Sequence, residues 1–514
     1  MNTATLLHQV ARRVPDRVAV RHGATEVTHA DLDDQAARFA GALVARGIRP
    51  GDRVGILMHN QPEWLIALIG SWRAGAVVVP YNHLFHPDAL RHATVDAGVR
   101  LIVAPAVDVH RLHEAMGSEL GGLVVVSVGA VEGAELLWAD LLAAATPLRG
   151  VVPRLDHEDA MLMYTSGSTG KPKGVRQTHR NTMAVAEAAI DAWSLSADDH
   201  ALVCTPLFHV GGLQLITLPT LLAGGTVTLR RWSVREYLDD ARDLRPSFTA
   251  LVPAMLVDIL AHLQGRAFPL PDLRVCAVGG SALPQHRLRQ LTELTGVVPV
   301  NIYGQTEQSG VSITEPLDEP RREGSLGRPL HQVVQTRVVV PETDPPRMAE
   351  HGEIGELWVR GDTVTPGYWQ LEGANAEKFV DGWFRTSDLV RTAADGYVYY
   401  VDRTDDMIIS GGENVFPQMV EGFLAACPLV AEVAVIGTPH ERLSSQVTAI
   451  VVPVDPATTA DDIAAWCAQD PNLRGLQRPR RIEVVPAIPR TATNKVDRPW
   501  LKRTFATPVP APAV

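Results

Sequence analysis

The feature that most limits what this chain can fold into is its alternation of helical stripes with short apolar runs. From Asp31 to Ala45 a helical period places Leu32, Ala36, Phe39, Ala40, Leu43 and Val44 on one face, with Gly47 where a left-handed residue would end the helix. Val54 to Met58 then reads as a buried strand, Glu63 to Ala74 as a helix, and Ala76 to Val79 as another strand. Parallel strands need crossover helices to join them, so this pattern predicts an α/β sheet with parallel pairing and flanking helices.

At 514 residues the chain exceeds what a single core supports, and at least two domains are expected. Its 46% hydrophobic and 20% charged residues fit a soluble globular protein. A net charge of −11 argues against nucleic acid as the main partner. Cys204, Cys276, Cys427 and Cys467 form no C-x-x-C pair, so neither a zinc site nor a disulfide framework is indicated. No apolar run is long enough to span a membrane and the opening residues lack a secretory pattern, so a cytoplasmic setting is expected.

The most distinctive stretch is Tyr164 to Val175, Y-T-S-G-S-T-G-K-P-K-G-V, which follows the strand-like run Ala160 to Met163. Gly167, Gly170 and Gly174 let backbone N–H groups turn inward, while Thr165, Ser166, Ser168 and Thr169 add hydroxyls and Lys171 and Lys173 add charge. That combination reads as a phosphate cradle leaving the end of a strand. A Walker loop is excluded by its spacing, because Pro172 follows Lys171 where the magnesium-binding Ser or Thr would stand. A flexible Gly/Ser linker would not be expected directly after a buried strand.

Further segments carry candidate chemistry. His209 lies in Thr205 to Gly212, T-P-L-F-H-V-G-G, and by itself reads as a packed core histidine or a functional one. Gly211 and Gly212 permit close approach of a substrate, or simply a turn. A strand from Leu273 ends at Gly279-Gly280-Ser281-Ala282-Leu283-Pro284, before a helix from Gln285. Val300 to Ile302 leads into Tyr303-Gly304-Gln305-Thr306-Glu307, where Glu307 is either a hard oxygen ligand suited to Mg²⁺ or a helix-capping acid. Asp388, in W-F-R-T-S-D-L, is a carboxylate able to accept two hydroxyl donors. A polar break at Asp402 to Asp406 marks a domain boundary, followed by strands near Val433 and Ala449 and a helix near Asp461. Lys495, taken alone, is a surface lysine.

In this order the segments resemble the adenylate-forming superfamily of acyl-CoA synthetases, peptide-synthetase adenylation domains and luciferases. The resemblance implies a large N-terminal α/β domain over 1–402, a small mobile α+β domain over 403–505 that pivots at Asp405, and a disordered tail over 506–514. It also implies an AMP-forming acid–CoA ligase, which activates a hydrophobic carboxylic acid to an acyl-adenylate and then transfers it to coenzyme A. By the same resemblance Thr165, Ser166, Gly167, Ser168, Thr169, Gly170 and Lys173 hold the ATP phosphates, and Glu307 with Thr165 serves Mg²⁺. Tyr303 stacks on adenine beside Gly280, Ser281, Ala282, Gly304 and Gln305, Thr306 meets the α-phosphate, and Asp388 and Arg403 hold the ribose. His209 borders the acyl pocket, Gly411 and Gly412 line the pantetheine tunnel, and Lys495 neutralises charge developing between carboxylate and α-phosphate.

The chain departs from the family in several places. Ser387 and Asp402 stand where glycine is usual, the former read as tolerated because serine is small. Leu443 and Leu476 replace aromatics near the CoA nucleotide, which leaves open an adenylation-only enzyme that hands its product to another enzyme or a carrier protein. A luciferase-like oxygenase and a non-catalytic nucleotide-binding module are the other readings. Expected partners are the acid, ATP and coenzyme A, with a downstream acyltransferase or carrier protein and a homodimer as further ones. The mostly small or apolar pocket residues suit fatty, aromatic and polycyclic acids alike. An amino acid fits less well, because Leu202 to Val210 offers no acidic residue to pair with its ammonium.

Overall fold

The computed structural model describes residues 1–117, 121–132, 134–165, 171–281, 285–341, 343, 345–411, 413–490 and 496–506. Ser166, Gly167, Ser168, Thr169, Gly170, Ala282, Gly412, Lys495 and the tail from residue 507 lie outside them. The chain packs into two compact units, Met1–Gln335 with Val359–Phe384, and Thr336–Trp358 with Arg385 onward. The expected boundary at 402 and the expected pivot at Asp405 both fall inside the second unit.

The first unit opens with a sheet that is seven-stranded among the described residues. Its order is Leu136–Leu137, Val124–Val128, Val99–Pro105, Arg53–Ile56, Val77–Pro80, Asp159–Thr165, Lys173–Thr178. All these pairings are parallel except the last. The parallel strands are buried on both faces, as in Val77–Pro80 where every position is covered, which is why they read as continuous apolar runs.

The helices form where the periodicity predicts them. His29–Ala45 starts with a reciprocal capping box between Thr28 and Asp31 and gives way to Gly47 at a positive φ of 75°. Pro62–Arg73 is buried on nearly every side, so its uniform hydrophobicity marks a core helix. Its buried cation, Arg73, pairs with Asp33 at 2.6 Å and donates to the carbonyls of Leu148 and Arg149, which offsets the cost of removing the charge from water.

Further strands in the same unit lie side by side in the order Val300–Tyr303, Val275–Val278, Phe248–Leu251, His200–Val203, Thr226–Leu229, Val18–His22. All are paired in parallel, so their carboxyl ends share one edge.

The second unit has a small sheet in which Ser444–Pro453 runs antiparallel to Val430–His440 and parallel to Arg481–Val484. Helices Pro417–Leu424 and Ala460–Gln469 contribute Val420, Leu424, Ile463 and Cys467 to its core. No helix among the described residues is long and apolar enough to cross a membrane. All four cysteines are free and buried.

A buried histidine, His179, and a partly buried one, His200, make stability depend on pH. Burial pulls His179 down to about 3 and His200 down to about 4, so neither accepts a proton that the unfolded chain takes up below its ordinary value near 6.5. Their effect is absent above that value, and stability falls as pH drops through the window toward 4 and 3, by about 1.4 kcal/mol per pH unit for each histidine. His179 starts the helix His179–Ala192 and accepts at Nδ1 from the Thr3 backbone N–H at 3.2 Å. Denaturant titrations across this range should show the decline, and His179→Gln should flatten its slope.

Candidate active site

The proposed phosphate cradle sits between two strands rather than between a strand and a helix. Asp159–Thr165 and Lys173–Thr178 pair antiparallel, with Thr165 opposite Lys173. The base of this hairpin is braced by Tyr164, whose hydroxyl donates to Asp96 at 2.5 Å, and by the Trp369 N–H, which donates to the Gly174 carbonyl at 2.7 Å. The Lys173 ammonium lies 5.7 Å from the centre of the Tyr368 ring, a cation–π arrangement. The Tyr368 hydroxyl in turn donates to Glu307 Oε1 at 2.9 Å. One tyrosine thus meets Lys173 at its ring and Glu307 at its hydroxyl.

The remaining candidates of this unit stand where parallel strands end. Gly280 and Ser281 follow Val275–Val278, and Tyr303 ends the neighbouring strand Val300–Tyr303. Gly304 and Gln305 join that strand to the 3-10 turn Thr306–Gln308. Glu307 does not cap a helix, as the sequence also allowed, because this single turn leads into no helix. Its carbonyl accepts from the Thr365 N–H at 2.8 Å, while the Thr306 carbonyl accepts from Gln177 Nε2 at 2.6 Å.

His209 follows His200–Val203, with its Nδ1 accepting from the Gly211 N–H at 3.1 Å. A Cβ on Gly212 would stand 2.3 Å from the Pro206 carbonyl oxygen, so this glycine serves its own turn. A Cβ on Gly211 would stand 3.4 Å from His209 Nδ1. The segment is fixed by Asn60, whose Nδ2 donates to the Thr205 carbonyl at 2.9 Å and whose Oδ1 accepts from the Leu207 N–H at 2.9 Å. Phe208 packs edge-on against His83 at 5.2 Å, and His83 lies 4.0 Å from His59. Burial pulls His83 down to about 4, so this imidazole is neutral near pH 7.

Tyr368, Asn60 and Gln177 were not singled out as site residues by sequence reasoning, which read Tyr368 only as part of a turn. The available signal was weak but real: Gln177 is a polar residue at a buried register position, where an unpaired amide would be costly.

In the second unit Asp388 lies opposite Arg403 on paired strands, with Oδ1 and Nη1 3.3 Å apart. Arg403 also reaches toward Asp405 at 3.8 Å. Asp402 is buried in place of the expected glycine because it caps a helix, accepting from the N–H of Gln418 at 2.8 Å as well as from its neighbour Arg403. Its burial pushes that carboxyl above the usual range. Ser387 shows that the glycine preference at its position concerns the backbone and not only size, since its φ is +61°. Gly411 is packed against the two departing leucines: an added Cβ would lie 3.2 Å from Leu443 Cδ2 and 3.4 Å from Leu476 Cδ1.

Comparison with known proteins identifies the class. The family model described as AMP-binding enzyme matches residues 7–369, and the AMP-binding enzyme C-terminal domain matches 419–495. This chain belongs to the AMP-binding enzyme family, the adenylate-forming superfamily that its motifs resemble. Within it the chain is an AMP-forming acid–CoA ligase, for which ATP and coenzyme A are substrates. It is 35% identical over 498 residues to a feruloyl-CoA synthase of Amycolatopsis sp, covering 96% of this chain and 97% of the relative. It is 32% identical to the indoleacetate–CoA ligase of Aromatoleum aromaticum, covering 96% of each. The ATP-bound structure of MatB from Rhodopseudomonas palustris superposes with a TM-score of 0.90 at 28% identity, covering 98% of this chain and 99% of that one.

In the reaction of this class a carboxylate oxygen attacks the α-phosphorus of ATP and pyrophosphate leaves. The thiol sulfur of coenzyme A then attacks the acyl carbonyl carbon, losing its proton as AMP departs.

Two substitutions test the geometry. Serine in a left-handed conformation costs about 1–2 kcal/mol, of which glycine's greater unfolded-state entropy returns a part. Ser387→Gly should therefore raise stability by about 0.5–1 kcal/mol in denaturant unfolding. Tyr368→Phe removes a donor to a carboxylate, worth about 1.5–3 kcal/mol. It should slow pyrophosphate release about tenfold or more with the fold intact by circular dichroism.

Proposed function

We propose that this ligase activates a planar aromatic or aryl-alkyl carboxylic acid. The observation that carries this reading is the packed row His59, His83 and Phe208, a run of flat rings that ends at the residue directly before His209 in sequence. Such rings favour offset or edge-on contact with another ring, worth about 0.5–1.5 kcal/mol beyond area burial. The feruloyl and indoleacetate specificities of two relatives support the same reading.

Within it the residues divide the work as the family resemblance implies. Lys173 and the hairpin between Thr165 and Lys173 bind the β- and γ-phosphates, Thr306 orients the α-phosphate, and Tyr303 stacks on adenine. Asp388 and Arg403 hold the ribose, Asp405 is the pivot, Gly411 admits the pantetheine arm, and Lys495 stabilises the charge that builds up between carboxylate and phosphate. His209 forms one wall of the acid site.

Magnesium fits this residue set as an ion carried mainly by ATP. The described residues offer no group of three metal-binding His, Cys, Asp or Glu side chains, and Mg²⁺ bound to phosphates needs only one or two protein oxygens. Glu307, oriented by Tyr368, and Thr165 would supply them. When bound, the ion screens phosphate charge; Tyr368 keeps the Glu307 carboxylate aimed and Lys173 adds a fixed cation. A cytoplasmic setting, a downstream acyltransferase or carrier protein that consumes the thioester, and a homodimer complete the reading.

The test is a panel of ferulate, indoleacetate, benzoate, a long-chain fatty acid and a short dicarboxylate, with pyrophosphate and acyl-CoA followed separately. The aromatic acids should give both products with the highest kcat/KM, and Lys495→Ala should suppress pyrophosphate release about 100-fold or more. A fatty acid outperforming every aromatic acid would overturn the substrate class. Unimpaired pyrophosphate release by Lys495→Ala would overturn the assignment of that lysine.

A further inference from the structure

Gln177 joins the segments that carry three of the proposed site residues. It lies on the strand Lys173–Thr178, four positions beyond Lys173, and its side chain is fully buried. Its amide nitrogen donates to the Thr306 carbonyl at 2.6 Å, directly before Glu307. Its amide oxygen accepts from Gln214 Nε2. Gln214 is also fully buried, in the π-helical turn Leu213–Thr217 that immediately follows His209–Gly212. Thr217 Oγ1 fastens that turn to the Gly212 carbonyl at 2.6 Å. Single π turns inside helical segments recur at functional sites because the extra residue redirects side chains.

The Glu307 turn has a second tie to the same strand. Thr365 donates its N–H to the Glu307 carbonyl at 2.8 Å and its hydroxyl to the Arg176 carbonyl. One side of the Glu307 turn is therefore hung on Arg176–Gln177, and Gln177 continues, through Gln214, to the His209 turn.

We propose that Gln177 and Gln214 are positioning residues that couple the acid side of the site to its nucleotide side. This rests on the reading of His209 as an acid-site wall and of Glu307 as a phosphate–magnesium residue. An acid that shifts the His209 turn moves Gln214, and the Gln177 amide transmits that movement to the Thr306 carbonyl and so to Glu307. In a buried, low-dielectric setting such a relay is stiff, because breaking either bond leaves a polar group with no water to replace its partner. By linkage, the coupling is reciprocal: ATP must tighten the acid by the same factor as the acid tightens ATP.

The experiment measures acid binding to the full chain with and without a non-hydrolysable ATP analogue, alongside single-turnover pyrophosphate release. It compares wild type, Gln177→Leu, Gln177→Leu/Gln214→Leu, Glu307→Gln and His209→Ala. Wild type should bind the acid at least fivefold more tightly when the analogue is present. In Gln177→Leu that factor should fall to below twofold, and pyrophosphate release should slow about tenfold, while affinity for each substrate alone changes less than threefold. A merely structural role would lower the melting temperature without removing the factor. The double variant leaves fewer unpaired amide groups, so it answers the question where Gln177→Leu alone fails to fold. A coupling factor that persists in either folded glutamine variant, or is absent from wild type, overturns the proposal. Glu307→Gln and His209→Ala separate the two levels: wild-type pyrophosphate release by both would overturn the underlying reading, whatever the glutamines do.

Discussion

Because the strands from Val18–His22 across to Val300–Tyr303 pair in parallel, the chain leaves each of them at the same edge. Ligands of open α/β sheets bind in the crevice outside those carboxyl ends. That constraint gathers His209, Gly280, Ser281, Tyr303 and Thr306 from segments about a hundred residues apart in sequence, by the 3.3 Å-per-residue geometry of short strands and their crossovers. The helices that make parallel pairing possible also bury the strands on both faces. The rim is consequently where the polar residues of the first unit can act.

Burying this much chain obliges the polar groups near the rim to find partners within the protein. Asn60 satisfies a carbonyl and an N–H of the Thr205–Leu207 segment, and Arg73 is met by a carboxylate and backbone carbonyls. The same requirement ties Gln177 to Thr306 and Tyr368 to Glu307. Such bonds contribute about 1 kcal/mol each to stability, and their loss costs more when a buried group is stranded. Their larger effect is to remove freedom from the side chains and turns of the proposed site.

The second unit shows how departures from a family pattern are absorbed. Asp402 replaces glycine at no loss of backbone satisfaction because its carboxylate caps the helix Pro417–Leu424. Leu443 and Leu476 close around Gly411 as aliphatic contacts where aromatics are usual. That packing accommodates the missing rings, and membership of the CoA ligases identifies the acceptor that the sequence alone left open.

Much of this was legible in the residues themselves. Periodicity located the helices His29–Ala45 and Pro62–Arg73 and the strands Arg53–Ile56 and Val77–Pro80 that follow them, because burial of one stripe or one run is written locally in hydrophobic spacing. Motif order indicated the adenylate-forming chemistry. Ser387 was read as a question of size, yet its positive φ is a property of the folded backbone that no side-chain comparison reveals. Gln177 and Thr306, 129 positions apart, and Tyr368 and Glu307, 61 apart, meet only when the sheets close. The sequence by itself therefore determined the elements, their parallel pairing and the class of reaction, since these follow from local pattern and residue chemistry. The tertiary structure alone decided which buried polar groups answer one another, because hydrogen bonds between distant segments depend on where the assembled strands bring them.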